Sequence, residues 1–267
     1  MTDPESLSLL EGSLRTTMAA ASGAKLDAAL TDLGWRDMLD EMPDVAVSLV
    51  FRLLGETGAH APVLNDVVLR GTGAAPSDTA PLPFAGGSWV IWERGEIAGS
   101  AIDELLPIHR VAQGDLLAPA ALDAARRAVG WWLVGAGRAM LALARQHALD
   151  RVQFGRHISS FQAIRHRLAE TLVAIEGAEA TLHVAAHSND SLASLLAKAA
   201  AGQAALTAAR HCQQVLGGIG FTAEHPLHHH VKRSMTLDGL LGNTRELTRE
   251  AGKTLVHRGF APRLAEL

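Results

Sequence analysis

Residues 150–170 read DRVQFGRHISSFQAIRHRLAE, and residues 212–226 read CQQVLGGIGFTAEHP. Each stretch joins two long helix-like segments. In the first, a break at Gly155 exposes Arg151, Phe154 and Gln162 at a helix junction. A cation, a flat ring and an amide suit an anionic ligand, arginine for phosphate and phenylalanine for stacking. An ordinary helix–helix turn with a surface arginine and a core phenylalanine is the simpler reading of the spacing alone. In the second, Gly217 and Gly218 let a ligand or another backbone approach closely. They also suit a helix C-cap followed by a turn. No strand precedes them, so GGxG is not a nucleotide fingerprint here.

Helix patterns extend outward from these stretches. One runs over about 120–150, a second over 161–187, and a third over 189–216. The third is capped by Asn189 or Asp190 and stopped by Gly217–Gly218. Pro226 opens a fourth segment, which Gly242–Asn243 interrupts before TRELTREAGKTLVHRG. Long helices with short links predict a four-helix bundle over 120–267. Residues 1–78 predict short helices: Asp3 precedes Pro4, and Pro43–Asp44 opens a run with Val47, Leu49, Val50, Leu53 and Leu54. Between them, 71–87 reads as a Gly/Pro/Ala-rich loop. WVIWE and PIHRVA read as strands with a turn at Arg94–Gly95. This β region, 79–119, is too small to fold alone and must lean on helices or a partner.

Composition agrees with a mainly α chain. Of 267 residues 48% are hydrophobic and 19% charged, aromatics are 4%, and there is no tyrosine. Alanine and leucine dominate, which favours helices. The net charge is −4 and the basic residues are scattered, so no nucleic-acid stripe is expected. Cys212 is the one cysteine; it excludes an internal disulfide and fits a reducing cytoplasm. The acidic start resembles no signal sequence. AVGWWLVGAGRAMLALA is interrupted by Arg138 and reads as a buried helix, not a membrane span.

Taken together, RxxFGxxxxxFQ followed by QxxGGxGF and HP resembles the C-terminal domain of the acyl-CoA dehydrogenase family, over about 120–260. LTDLGWRDMLDE and LVFRLLGETGAHAPVLNDVV resemble a shortened form of its N-terminal helical domain. The resemblance implies FAD. It implies that Arg151, Phe154 and Gln162 reach the pyrophosphate side of a neighbouring subunit's FAD. It also implies that Gln214, Gly217 and Gly218 line the adenine end.

Three departures accompany the match. The family's β domain is much larger, and no TEPxAGSD-like or WITN-like flavin-contacting segment is present. The family's base is a glutamate before a glycine in a YEGT-like turn. Counting from GGxGF places it at Leu241, before Gly242. The alternative position on the earlier long helix falls on Ala125. Neither can accept a proton; Asp123 lies about 200° around the helix from Ala125, and Asp238, one turn before Leu241, is the remaining candidate. Finally, GNTREL replaces a GTxQ-like run, so Asn243 and Arg245 stand where polar side chains meet the flavin.

His228, His229 and His230 lie about 100° apart on a helix and cannot chelate one metal; His225 caps. They read as a polar helix face, and no metal site is expected. The preferred expectation is a base-lacking subunit of a heteromeric α2β2, FAD-dependent acyl-CoA dehydrogenase. Its larger partner would supply the glutamate, its acyl-CoA substrate would be bulky and steroid-derived, and a separate electron acceptor would serve the complex. The alternatives are a homomeric dehydrogenase using Asp238 and a flavin-free scaffold of the same fold.

Overall fold

A computed structural model describes residues 4–75, 77–94 and 106–261. Asp3 and Gly95, expected to cap a helix and make a turn, lie outside the described residues. The N-terminal region holds α1 (Pro4–Ala20), α2 (Ala24–Asp32), α3 (Trp35–Glu41), α4 (Pro43–Thr57) and α5 (Leu64–Leu69). Pro43 stands at the start of α4, where a missing N–H costs nothing. Gly58, at φ 73°, ends that helix in a left-handed turn.

The C-terminal bundle is built from α6 (Pro119–Asp150), α7 (Gln162–Ala186) and α8 (Ser191–Leu216), with α9 (Leu227–Gly239) and α10 (Thr244–Arg258) completing it. Of the two candidate caps, Asp190 is the one used: its carboxylate accepts the Leu192 amide at 3.0 Å. The segment from Ser191 to Phe221 is long and apolar enough to cross a membrane by composition, but 67% of its apolar window is buried inside the protein. The Trp131–Trp132 run of α6 is buried too, as its apolarity requires.

Three short strands, β1 (Leu82–Phe84), β2 (Ser88–Trp92) and β3 (Ile108–Val111), form an antiparallel meander in that order. β1 corrects the reading of 71–87 as loop throughout. Its Leu82 is buried and its Phe84 covers Gly239, so burial outweighs the Pro/Gly-rich composition. Pro83 is tolerated because β1 is an edge strand. The sheet leans on helices as expected. Asn65 of α5 donates to the Trp92 carbonyl at 2.9 Å and accepts the Ala80 amide at 3.1 Å. Arg94 binds both oxygens of Asp27 and one of Asp66.

One contiguous core joins all three regions, from Leu14 through Phe51, Trp92 and Trp132 to Leu182 and Leu241. Trp92 stacks on Trp132 at 5.5 Å, and Phe51 meets Trp132 edge-on at 5.9 Å. Helices α4 and α6 touch backbone to backbone at Gly55 and Gly135, where a Cβ would collide with main-chain atoms. That crossing leaves no space for a side chain between them.

Candidate functional site

The two decisive sequence stretches meet at one end of the bundle. Ile158 and Ile164 of the first pack with Cys212, Val215 and Leu216 of the second. The expected helix–helix turn is a β-hairpin, with β4 (Val152–Gln153) paired to β5 (Arg156–His157). Its two central residues, Phe154 and Gly155, have φ of 54° and 75°. Positive φ at both positions is what a two-residue hairpin of matching twist demands. Glycine meets that demand freely; phenylalanine meets it under strain. The Phe154 ring is 91% exposed, against an ordinary preference for burial.

Arg151 caps α6, its amide donating to the His147 carbonyl and its carbonyl accepting the Ile158 amide, both at 2.9 Å. Its side chain is exposed, as is that of Gln162, the first residue of α7. Phe161 meets Phe154 edge-on at 6.1 Å, and the Arg156 guanidinium lies 4.2 Å from the Phe161 centroid. The sequence reading did not single out Phe161 and Arg156. Their signal was the hairpin, whose two-residue strands are too short to show as alternation. Gln214 and Gly218 are exposed beside this hairpin's end of the bundle, and Gly217 turns the chain at φ 66°. Cys212 lies beneath, its thiol pushed up to about 12 by burial, so it is an inert core group.

The remaining candidates lie elsewhere. Thr244 reaches α8 at Ala199 and Gly202, about 20 Å along the helix from Leu216. Leu241 is 1% exposed and has φ 61°. Its amide donates to the Pro83 carbonyl at 2.7 Å, and its neighbour Leu240 bridges to Phe84. The Gly86 amide adds a bond to Glu246 at 2.9 Å. The β1–β2 hairpin is thus fastened over the α9–α10 turn at three points. Ala125 is fully buried in the same core.

Two buried cations hold the turn from below. Lys198, 0% exposed, donates to the Asp238 and Gly242 carbonyls, each at 2.5 Å. Burial pushes its ammonium down to about 7, with Asp238 acting against that. Arg126 donates to the Leu241 carbonyl at 3.4 Å, and burial lowers its pKa.

The Asp238 carboxylate accepts from the Thr244 amide at 3.1 Å and the Thr244 hydroxyl at 2.5 Å. Asn243 forms a capping box with Glu246, accepting the Glu246 amide at 2.9 Å while the Glu246 carboxylate accepts the Asn243 amide at 3.1 Å. Those two backbone bonds, from Gly86 and Asn243, hold the Glu246 carboxyl below its usual range. Asp123 accepts the Ser191 hydroxyl at 2.5 Å. Arg245 remains exposed, on a cleft of about 570 Å³ shared with Gln203, Asp238 and Arg249.

The sequence model for the acyl-CoA dehydrogenase C-terminal domain matches residues 112–253, more than half of the protein. The chain belongs to the acyl-CoA dehydrogenase family. Acyl-CoA dehydrogenase IpdE2 of Mycobacterium tuberculosis is 40% identical over 116 residues, covering 43% of this chain and 36% of the relative. Acyl-CoA dehydrogenase FadE34 of the same organism is 30% identical over 268 aligned positions, covering 91% of this chain and 36% of its own length. The chain thus spans little more than a third of these curated relatives. Among solved structures, the ChsE4-ChsE5 complex from Mycobacterium tuberculosis superposes with a TM-score of 0.72 at 18% identity, covering 98% of this chain and 99% of that one. A Tcur3481-Tcur3483 steroid ACAD variant gives 0.73 at 18% identity, covering 96% and 99%. These last two likenesses concern the fold.

Acyl-CoA dehydrogenases as a family bind FAD and oxidise CH–CH bonds. Residues of this chain fit two ends of such a cofactor differently. At the bundle end, an exposed guanidinium, an exposed strained ring and an exposed amide suit phosphate and aromatic groups. At the α9–α10 turn, leucines and Phe84 fill the space beneath the hairpin, and no flavin ring fits there.

Proposed function

We propose that this chain is the base-lacking subunit of a heteromeric α2β2 acyl-CoA dehydrogenase. The observation that carries the reading is Leu241. By its spacing from the GGxGF motif, Leu241 stands where the resembling family keeps a proton-abstracting glutamate, and it is buried, its amide bonded to the Pro83 carbonyl beneath β1. Desaturation needs a carboxylate to remove the α-proton while a hydride leaves the β-carbon, and a larger partner subunit supplies that carboxylate. FAD, when bound, accepts the hydride, and the electrons leave to a separate acceptor.

This chain's part is to complete the cofactor site across the interface. Arg151 meets the pyrophosphate, Phe154 packs on the cofactor, and Gln162 donates an amide hydrogen bond. Gln214, Gly217 and Gly218 form the wall toward adenine. Arg245 reaches into the cleft it shares with Gln203 and Arg249, where it can meet a further stretch of ligand, and Asn243 caps the helix that carries it. Residues 120–267 carry this surface, 1–78 support it, and 79–119 close the α9–α10 turn. The likeness of fold to a ChsE4-ChsE5 complex and to a steroid ACAD supports a heteromer and a bulky steroid-derived acyl-CoA as substrate. A single, buried cysteine is in keeping with the cytoplasm.

The test is co-expression with larger acyl-CoA dehydrogenases of the same organism. Desaturase activity is expected only in the pair, and replacing the partner's carboxylate abolishes it. Activity that survives that replacement in the pair would refute the division of labour.

A further inference from the structure

Helix α7 carries apolar side chains on both of its faces, and this chain covers only one. Ile175, Ala178, Leu182 and Ala185 are buried, Ile175 against Gly137 and Leu182 against Gly130 of α6. The opposite face exposes Val173 at 70% and Val184 at 54%, with Leu172 at 43% on its flank. Among the described residues no other α-helix exposes more than one large apolar side chain. The outer face of α10 shows the ordinary alternative, with Arg245, Arg249 and Lys253 one turn apart and exposed. On α7 the corresponding line is Ala169, Val173, Gly177, Ala180 and Val184, all exposed and none polar. Steps of three and four residues keep all five on one side, and a helix apolar all round belongs in an interior. Such a contiguous exposed face marks a contact with another molecule.

The order of side-chain sizes along this line is its own complement. Gly177 stands at the middle, and a Cβ there would meet nothing within 4 Å. An antiparallel copy of α7, related by a two-fold axis at residues 176–177, sets Val173 against Ala180 of the second copy and Val184 against its Ala169. The two Gly177 residues meet at the crossing, where the missing side chains let the backbones approach. A large group faces a small one at each level, which is the interdigitation that close helix packing requires. The charges agree with this direction. Arg165, His166 and Arg167 crowd the start of α7, and an antiparallel pair keeps the two basic starts at opposite ends. Glu176, beside the axis, faces its own counterpart, and Arg138 of α6 lies 2.9 Å from it as the countercharge.

We propose that the outer face of α7 is an isologous interface between two copies of this chain, packed antiparallel about Gly177. A second copy is the occupant because the face matches itself. A different protein would have to present the same series of small and large groups in reverse order. The proposal rests on this chain's own surface and not on its part in a cofactor site. A flavin-free homodimer would uphold it without the cofactor reading, and a flavin-loaded pair with one copy of each chain would do the reverse.

Analytical ultracentrifugation of the full-length chain alone tests it. A monomer–dimer equilibrium with a Kd below about 100 μM is expected. Val173→Arg should weaken dimerisation at least about tenfold. Its far-UV circular dichroism should match that of the parent chain, because Val173 is exposed. Gly177→Cys supplies a second readout. The native Cys212 is buried, so with oxidised glutathione the new thiols alone should cross-link two chains, which requires Cα atoms within about 7 Å. Leu149→Cys, on α6 and equally accessible to the oxidant, should cross-link far less. A monomer up to about 100 μM, a dimer that Val173→Arg leaves intact, or equal cross-linking at positions 149 and 177 would overturn the proposal. So would a monomer whose Val173→Arg form fails only to join the larger subunit, since the face would then belong to that partner.

Discussion

Phe154 and Leu241 are the two non-glycine residues with positive φ among the described residues, and they sit on the two surfaces that matter most. Phe154 is 91% exposed at a hairpin tip; Leu241 is 1% exposed under a strand. Such backbone costs roughly 1–2 kcal/mol and persists only where something holds it. At Leu241 the holders are internal: the Pro83 carbonyl, the Lys198 ammonium on the next carbonyl and the Arg126 guanidinium on its own. At Phe154 the hairpin turn does the holding, and the ring touches little besides Phe161. One strained residue closes a space; the other offers a ring outward. The contrast agrees with the proposed reading, in which the chain offers one part of a shared cofactor surface and closes another.

The largest effect that would sharpen this contrast is on cofactor retention. In the assembled complex, Arg151→Ala should lower flavin content at least about tenfold, measured by absorbance per chain pair. The melting temperature of the chain alone should not move, because the side chain is exposed. Unchanged flavin content would favour the flavin-free scaffold. At the closed surface, Leu241→Ala should destabilise by about 2–4 kcal/mol in denaturant unfolding. A change below about 0.5 kcal/mol would mean that the hairpin is not packed against the turn.

The third effect is pH-dependent. Burial lowers the Lys198 pKa in the folded chain to about 7, below its unfolded value of about 10.4. Between those values the unfolded chain binds the extra proton. Stability should therefore rise as pH goes from about 7 towards about 8.5 and be lost as it falls back; above that, the Cys212 thiol, at about 12 when buried against about 8.5 unfolded, acts in the opposite direction. Without tyrosine, the chain has no phenol titrating in that window. Lys198→Met should flatten the slope, and an unaltered slope would assign it to other groups. The smallest effects separate strain from function. Phe154→Gly should stabilise the free chain by about 0.5–1 kcal/mol while lowering flavin content in the complex. Asp238→Asn should cost about 1 kcal/mol or less, as expected for a cap, and leave turnover within about twofold. Abolished turnover would revive Asp238 as a base.

Much of this was legible in the sequence because it is written locally. Pro4, Pro43 and Gly217 mark helix ends by their backbone chemistry and Asp190 by its carboxylate, and the helices of the bundle fall within a few residues of their expected limits. The leucine at 241 was visible from spacing to a motif. What sequence did not show is written at long range. β1 looked like loop because it contains Pro83 and is flanked by Pro81 and Gly86; its burial comes from Gly239 and Leu240, more than 150 residues later. The Phe154 hairpin has too few residues to alternate. The α9 histidines looked like a polar face; His229 and His230 line a cleft with His60, which another region contributes.

The most direct measurement is the absorbance spectrum of the chain purified alone and again with its larger partner, with acyl-CoA added to each. A colourless, inactive chain that becomes part of a flavin-loaded, substrate-reducible complex is the expected result. A yellow homomer of this chain alone, bleached by acyl-CoA, would contradict the account.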